Sequence, residues 1–346
     1  MVTPSKKRSP GRSLVRSLVR RYRAFMERRP HRSFRPTRRR DYVRPLELPG
    51  YVAFTHEVTK LLWRHKGTFA GLALVYVVLY ALLVGVQSQD TFNAITDTVQ
   101  ATGGEVLSTG WGVVGQAGLL FLTVASSGFT IDTTEAQQIF AVLILLMTWL
   151  ATVWLIRNIL AGHKVKLRDS LYNSGAPLLT TVCIALVMAV QLIPVAVAAI
   201  GYSAALASGL IDAGGAGAML FWIAAGLLAV LSLYWITASL FAMTVVTLPG
   251  MYPYQAIRIA GDVMLGRRTK ILLRWLWMGA VVVCAVLVTV VPCILLDIGL
   301  KSWWPPFAAV PLVPIIALLA AALSAVWVSA YVYLLYRKVV DYEPAQ

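Results

Sequence analysis

A chain of 346 residues that is 58% hydrophobic and only 13% charged, with a mean hydropathy of +0.72, falls outside the soluble globular classes and belongs in a bilayer. Its formal charge of +16 is lopsided: of 31 Lys and Arg, 19 fall within residues 1–66, against the acids Glu27, Asp41, Glu47 and Glu57. Cys183, Cys284 and Cys293 sit in apolar runs without CxxC spacing, so they read as small packing residues and not as disulfides or metal ligands.

Residues 1–47 read as a basic, largely disordered arm. Ser-Leu-Val-Arg occurs at 13–16 and again at 17–20, which would place Leu14, Leu18, Tyr22 and Phe25 on one helical face and Arg12, Arg16, Arg20 and Arg23 on another. Pro30, Pro36 and Pro45 favour extended chain after that. No apolar h-region follows within the first 30 residues, so no secretory signal is expected. The cluster Arg38, Arg39, Arg40 and Arg44 offers charge to anionic lipid, to RNA or to a protein partner; lipid and RNA both present phosphates, so charge alone does not choose between them.

Leu48-Pro49-Gly50 is a breaker, and the spacing after it predicts a helix over 51–66. Tyr51, Phe54, Val58, Leu61 and Leu62 form its apolar face, while Glu57, Lys60 and Arg64 lie opposite. Such a helix suits the membrane interface, with basic heads at the phosphates and its apolar face in the acyl boundary. Residues 67–86 are then uncharged and long enough to span.

Residues 87–137 contain no Lys or Arg and carry five acids, which predicts an insertion on the outer side. Trp111 to Phe129 is apolar enough to resemble a span, but a seventh crossing there would put the later basic loops outside, so it reads as a re-entrant or surface helix. Five more spans are predicted at about 138–160, 177–200, 217–246, 271–297 and 308–336. The loops between them alternate in charge, with Arg157, Lys164, Lys166 and Arg168 in one, Arg258, Arg267, Arg268, Lys270 and Arg274 in or beside another, and Arg337 and Lys338 after the last. Only Lys301 falls on the opposite side, so both termini are expected in the cytoplasm of a plasma-membrane protein, with residues 339–346 as a tail.

Internal repeats sharpen this reading. LSLYWITAS at 231–239 aligns with LSAVWVSAY at 323–331, matching Ser232 to Ser324 and Trp235 to Trp327. PVAVAAIG at 194–201 aligns with PCILLDIG at 292–299, and Leu-Pro-Gly at 48–50 recurs at 248–250. The expected fold is therefore all-α and polytopic, with six transmembrane helices in three units, 48–160, 164–247 and 248–338. Each unit is an interfacial basic helix followed by a hairpin.

Away from the ends, the predicted spans hold no Lys, Arg, Glu or His, which lowers the case for an ion-coupled transporter. His31, His56, His65 and His163 all map to the basic side, no metal-ligand spacing or phosphate loop is present, and no cofactor or catalytic residue is expected. The candidate residues for anionic lipid or a partner are the arm arginines together with Lys60, Arg64, Lys66, Lys164, Lys166, Arg168, Arg267, Arg268 and Lys270. Ser232, Ser324 and the small residues near them suit helix packing, and Pro194 and Pro292 predict kinks. Gln191 is placed to serve the carbonyls that the Pro194 kink frees. Trp303-Trp304-Pro305-Pro306 reads as an outer turn, and Trp63, Trp275 and Trp277 as an inner aromatic belt.

The three-unit pattern, with stretches such as TLPGMYPYQAIRIAGDVMLGRRTKILLRWLWM at 247–278, resembles the six-span membrane domain attached to some glycerophosphodiester phosphodiesterases and related stand-alone bacterial membrane families. The resemblance covers roughly residues 51–338 and implies a shared membrane architecture only. The metal-binding catalytic domain of those enzymes has no counterpart here. The functional expectation is a non-enzymatic scaffold or assembly factor with a basic, lipid-binding cytoplasmic surface. The alternative is a transporter or channel component for lipid-like or small neutral solutes, supported by the repeats and the paired prolines.

Overall fold

A computed structural model of the chain describes residues 48–85, 134–210, 215–303 and 312–341. Among these residues every regular element is a helix, and six helices are long and apolar enough to cross a membrane. The protein is an all-α polytopic membrane protein. The arm arginines Arg38, Arg39, Arg40 and Arg44, the Trp111 to Phe129 stretch and the end of the tail lie outside the described residues.

The element order repeats short, long, long three times. Helices α1 (Tyr51–Arg64), α2 (Lys66–Leu83) and α3 (Glu135–Leu160) form the first set. The second is α4 (Leu167–Ser174), α5 (Leu178–Ala207) and α6 (Gly215–Val245), and the third α7 (Pro253–Val263), α8 (Arg268–Trp303) and α9 (Leu312–Val340). Each long pair packs as a hairpin, α2 with α3, α5 with α6 and α8 with α9.

Local chemistry explains where the spans begin. Helix α3 starts at Glu135 and not at 138, because Thr134 and Gln137 form a reciprocal cap: the Thr134 N–H donates to Gln137 Oε1 at 2.8 Å and the Gln137 N–H to Thr134 Oγ1 at 3.4 Å. The last residues of the expected outer insertion, 135–137, thus form the first turn of α3. Helix α7 opens with Pro253 at its first position, where a missing N–H costs nothing. Helix α8 has 36 residues and continues through Trp303, so the expected outer turn at 303–306 does not begin where the tryptophan pair suggested. Helices α5 and α8 both continue through their prolines, Pro194 and Pro292.

The core is centred on α9, which touches α1, α2, α3, α6 and α8. Tyr331, Val332 and Leu335 are fully buried there, packed with the C-terminal halves of α3 and α6. Burial is very uneven among the spans: 61% of the best membrane window of α3 is buried inside the protein, against 6% for α5 and for α6. The α5–α6 hairpin is therefore anchored by its α6 terminus, Phe241 to Val246, all buried, while most of its length faces outward.

Candidate functional site

The alternation of spans brings the three short helices and the ends of α3, α6 and α9 to one end of the bundle, and side-chain links confirm the grouping. Arg157 at the end of α3 donates from Nη1 to the Thr247 carbonyl at 3.0 Å and from Nη2 to Thr247 Oγ1 at 2.5 Å, just beyond α6. Arg267 before α8 donates from Nη1 to the Val339 carbonyl at 3.2 Å, near the end of α9. Arg274 in the second turn of α8 donates from Nη2 to the Pro49 carbonyl ahead of α1. Each guanidinium thus serves a main-chain carbonyl at a helix boundary, where a cation also meets the negative end of the helix dipole for Arg157 and Arg267.

Two of these arginines hold the two Leu-Pro-Gly breakers. Arg274 belongs to the third unit and grips the breaker of the first; Arg157 belongs to the first and grips the residue before the breaker of the third. Sequence reading placed both among the loop bases. The signal was present in their settings, LIRNIL and LLRWLW, where an arginine flanked by large apolar residues at a span end is better placed to bond protein than water.

Helix α1 is docked against the bundle, which corrects the expectation that its apolar face rests in the acyl boundary. Phe54 and Val58 are fully buried, and Phe54 meets the Tyr331 ring edge-on at 4.8 Å. The Arg274 guanidinium lies 5.0 Å from the Tyr51 ring centroid and 5.5 Å from that of Phe54. Thr55 and Thr59, one turn apart, accept from Trp277 Nε1 at 3.0 Å and Trp327 Nε1 at 3.2 Å, and Lys338 pairs with Glu57 at 2.9 Å. From Trp327 to Lys338 these contacts cover about three turns of α9.

Removing bases from the expected set leaves a cleaner surface. Arg267 is 6% exposed and bonded as described, so it is a structural residue, not a surface ligand. Arg268 is half-buried, its guanidinium 4.3 Å from the Tyr234 ring centroid. Lys60, Arg64, Lys66, Lys164, Lys166, Arg168 and Lys270 remain exposed on α1, at the start of α2, on α4 and its approach, and in the first turn of α8. Among them Lys66 rests over Trp63 at 5.6 Å, and Arg168 is within 3.8 Å of Asp169. The aromatic belt is also redistributed: Trp63 is exposed, whereas Trp275 is buried edge-on against Phe241 at 5.4 Å and Trp277 faces α1.

The expected packing residues divide in the same way. Gln191 does not turn back to its own helix; its Oε1 accepts from Ser239 Oγ at 2.8 Å, joining α5 to α6. In the aligned segments, Thr237 and Ser329 are both buried and each bonds the carbonyl four residues before it. Ser232 is buried while Ser324 is half-buried, and Trp235 is exposed while Trp327 binds α1. Among the described residues no group of three His, Cys, Asp or Glu is arranged to hold a metal ion.

A cleft of about 130 Å³ opens between α2 and α3, walled by Leu72, Val75, Leu79, Leu143 and Met147 and floored by Leu171 of α4. Its surface is almost wholly apolar. The approach of α4 to α2 is close at Gly71, where an added Cβ would stand 3.2 Å from Leu167 Cδ2. Compared with protein-family models, with curated proteins and with solved structures, the chain finds no match in any of the three.

Proposed function

We propose that this chain is a non-enzymatic scaffold or assembly factor of the plasma membrane, with both termini in the cytoplasm and a basic end that binds the anionic inner leaflet. The observation that carries the reading is the gathering of exposed Lys and Arg on the short helices and on the helix starts beside them at one end, with α1 locked to the bundle by Arg274, Trp277 and Trp327. Docked helices present their charges in a fixed array, and each base near an anionic surface contributes about 1 kcal/mol. The charge bias of the loops supports the cytoplasmic assignment of that end. The resemblance to phosphodiesterase-attached membrane domains fits, since only the membrane part would be shared.

A conduit for neutral solutes is the weaker reading. Its best polar candidate, Gln191, already uses its carbonyl oxygen on Ser239. The test is electron paramagnetic resonance on the full chain in bilayers carrying spin-labelled phosphatidylglycerol or phosphatidylcholine. The immobilised fraction should be larger for phosphatidylglycerol, and the difference should shrink as salt rises. Equal fractions for the two lipids at low salt refute the lipid-binding surface.

A further inference from the structure

We infer that the α2–α3 cleft is a specific site for one acyl chain of an anionic phospholipid, whose headgroup lies against Lys164, Lys166 and Arg168. This deepens the reading of a lipid-binding basic end and rests on it. From Leu72 to Leu83 the α2 wall is about 16 Å long at 1.5 Å per residue, close to the roughly 15 Å hydrocarbon depth of one leaflet. Leu72, Val75, Tyr76, Leu79 and Leu83 repeat along α2 at helical spacing, so the wall follows the membrane normal as an extended acyl chain does.

Position decides which leaflet supplies the lipid. Leu72 lies about 9 Å along α2 from Lys66 at the basic end, and Leu171 closes the cleft on that side. One turn before Leu171, Arg168 has a side chain 91% exposed. Lys164 and Lys166 are exposed immediately before the helix, and Tyr172 is 86% exposed beside them. Helix α4 therefore faces the bundle through Leu167 and Leu171, the second of them closing the basic end of the cleft, and turns its bases outward at that same end. An amphiphile with an apolar tail and an anionic head is complementary to both parts, and within a bilayer the solvent itself provides it. Thr148, the polar residue at the α3 wall, bonds its own helix at Ile144 and so asks no polar partner of the tail.

The test is native mass spectrometry of the full-length chain reconstituted with equal phosphatidylglycerol and phosphatidylcholine. The wild type should retain one phospholipid per chain, enriched in phosphatidylglycerol. Val75→Trp fills the cleft and should remove that adduct, whereas Val78→Trp, at an exposed position of α2 outside the lining, should keep it. Changing Lys164, Lys166 and Arg168 together to Gln should lower the phosphatidylglycerol preference by about fivefold or more, the factor one base makes at an anionic surface, while a lipid is still retained. Full retention by Val75→Trp overturns the acyl site, and an unchanged preference in the triple variant overturns the headgroup assignment. If the spin-label preference of the wild type persists while Val75→Trp retains its adduct, only this site fails. If that preference is absent, the broader lipid-binding reading fails.

Discussion

Replacing Arg274 by Met removes the guanidinium but keeps most of its apolar stem, and it tests whether α1 is held by the bundle. The lost interactions are a charge-assisted hydrogen bond to the Pro49 carbonyl and close approaches to the Tyr51 and Phe54 rings. A hydrogen bond to a charged group contributes about 1.5–3 kcal/mol net of desolvation, and an arginine over an aromatic ring about 0.5–1 kcal/mol. Together they predict that local opening of α1 becomes easier by about 2–4 kcal/mol, or roughly 30-fold to several-hundred-fold at 1.4 kcal/mol per decade. Hydrogen exchange of the α1 amides in the full chain reads this opening directly, with α7 as the internal reference. Arg274→Lys keeps the charge but not the fork, so it should fall between Met and wild type. Unchanged α1 exchange in Arg274→Met would refute the latch, and equal acceleration in α7 would mean that the whole bundle loosened instead.

Gly71→Leu should weaken the seat of α4 by about 1–3 kcal/mol in detergent unfolding, with Gly71→Ala costing less, because the Cβ alone asks Leu167 to shift only slightly. Gln191→Leu should cost only about 0.6 kcal/mol, the average for a hydrogen bond between membrane helices; a loss of several kcal/mol would show that the residue does more than join α5 to α6. For orientation, a cysteine at Tyr172 should resist an impermeant thiol reagent added to intact cells, and one at Ser208, also exposed but at the opposite end, should react. The native cysteines are first replaced, and the reverse pattern would invert the proposed topology. Tyr172 serves better than its neighbour Ser170, which is fully buried.

The spans were legible because length and apolarity suffice to recognise a crossing helix, and the charge of the loops groups their ends. What covers each apolar face was not legible. Lipid tails are as apolar as leucine, so the stripe of Phe54 and Val58 looks the same whether it faces acyl chains or α9. For the same reason nothing in the sequence separated α3, largely buried, from α5, whose span faces outward. Charge counting likewise treated Arg157, Arg267 and Arg274 as loop bases, although each binds a carbonyl brought near only by tertiary packing.

The two Leu-Pro-Gly breakers show how far a repeated tripeptide constrains geometry, and they part company at the glycine. Gly50 has φ −52 and serves as the N-cap of α1, a conformation open to any residue. Gly250 has φ +75, in the left-handed region, because two more residues must turn the chain before Pro253 opens α7. Neither would bring an added Cβ within 4 Å of another group, so packing does not separate them. Backbone conformation does. Gly250→Ala should lower stability by about 1–2 kcal/mol, the cost of a left-handed L-residue, and Gly50→Ala by less, roughly 0.5–1 kcal/mol, because alanine is a poorer N-cap than glycine. Unfolding both variants in the same detergent mixture compares them without an absolute scale. Equal effects would mean that the 248–250 turn relaxes to a right-handed conformation at no cost, and Arg157, which holds Thr247, would then have no fixed turn to grip.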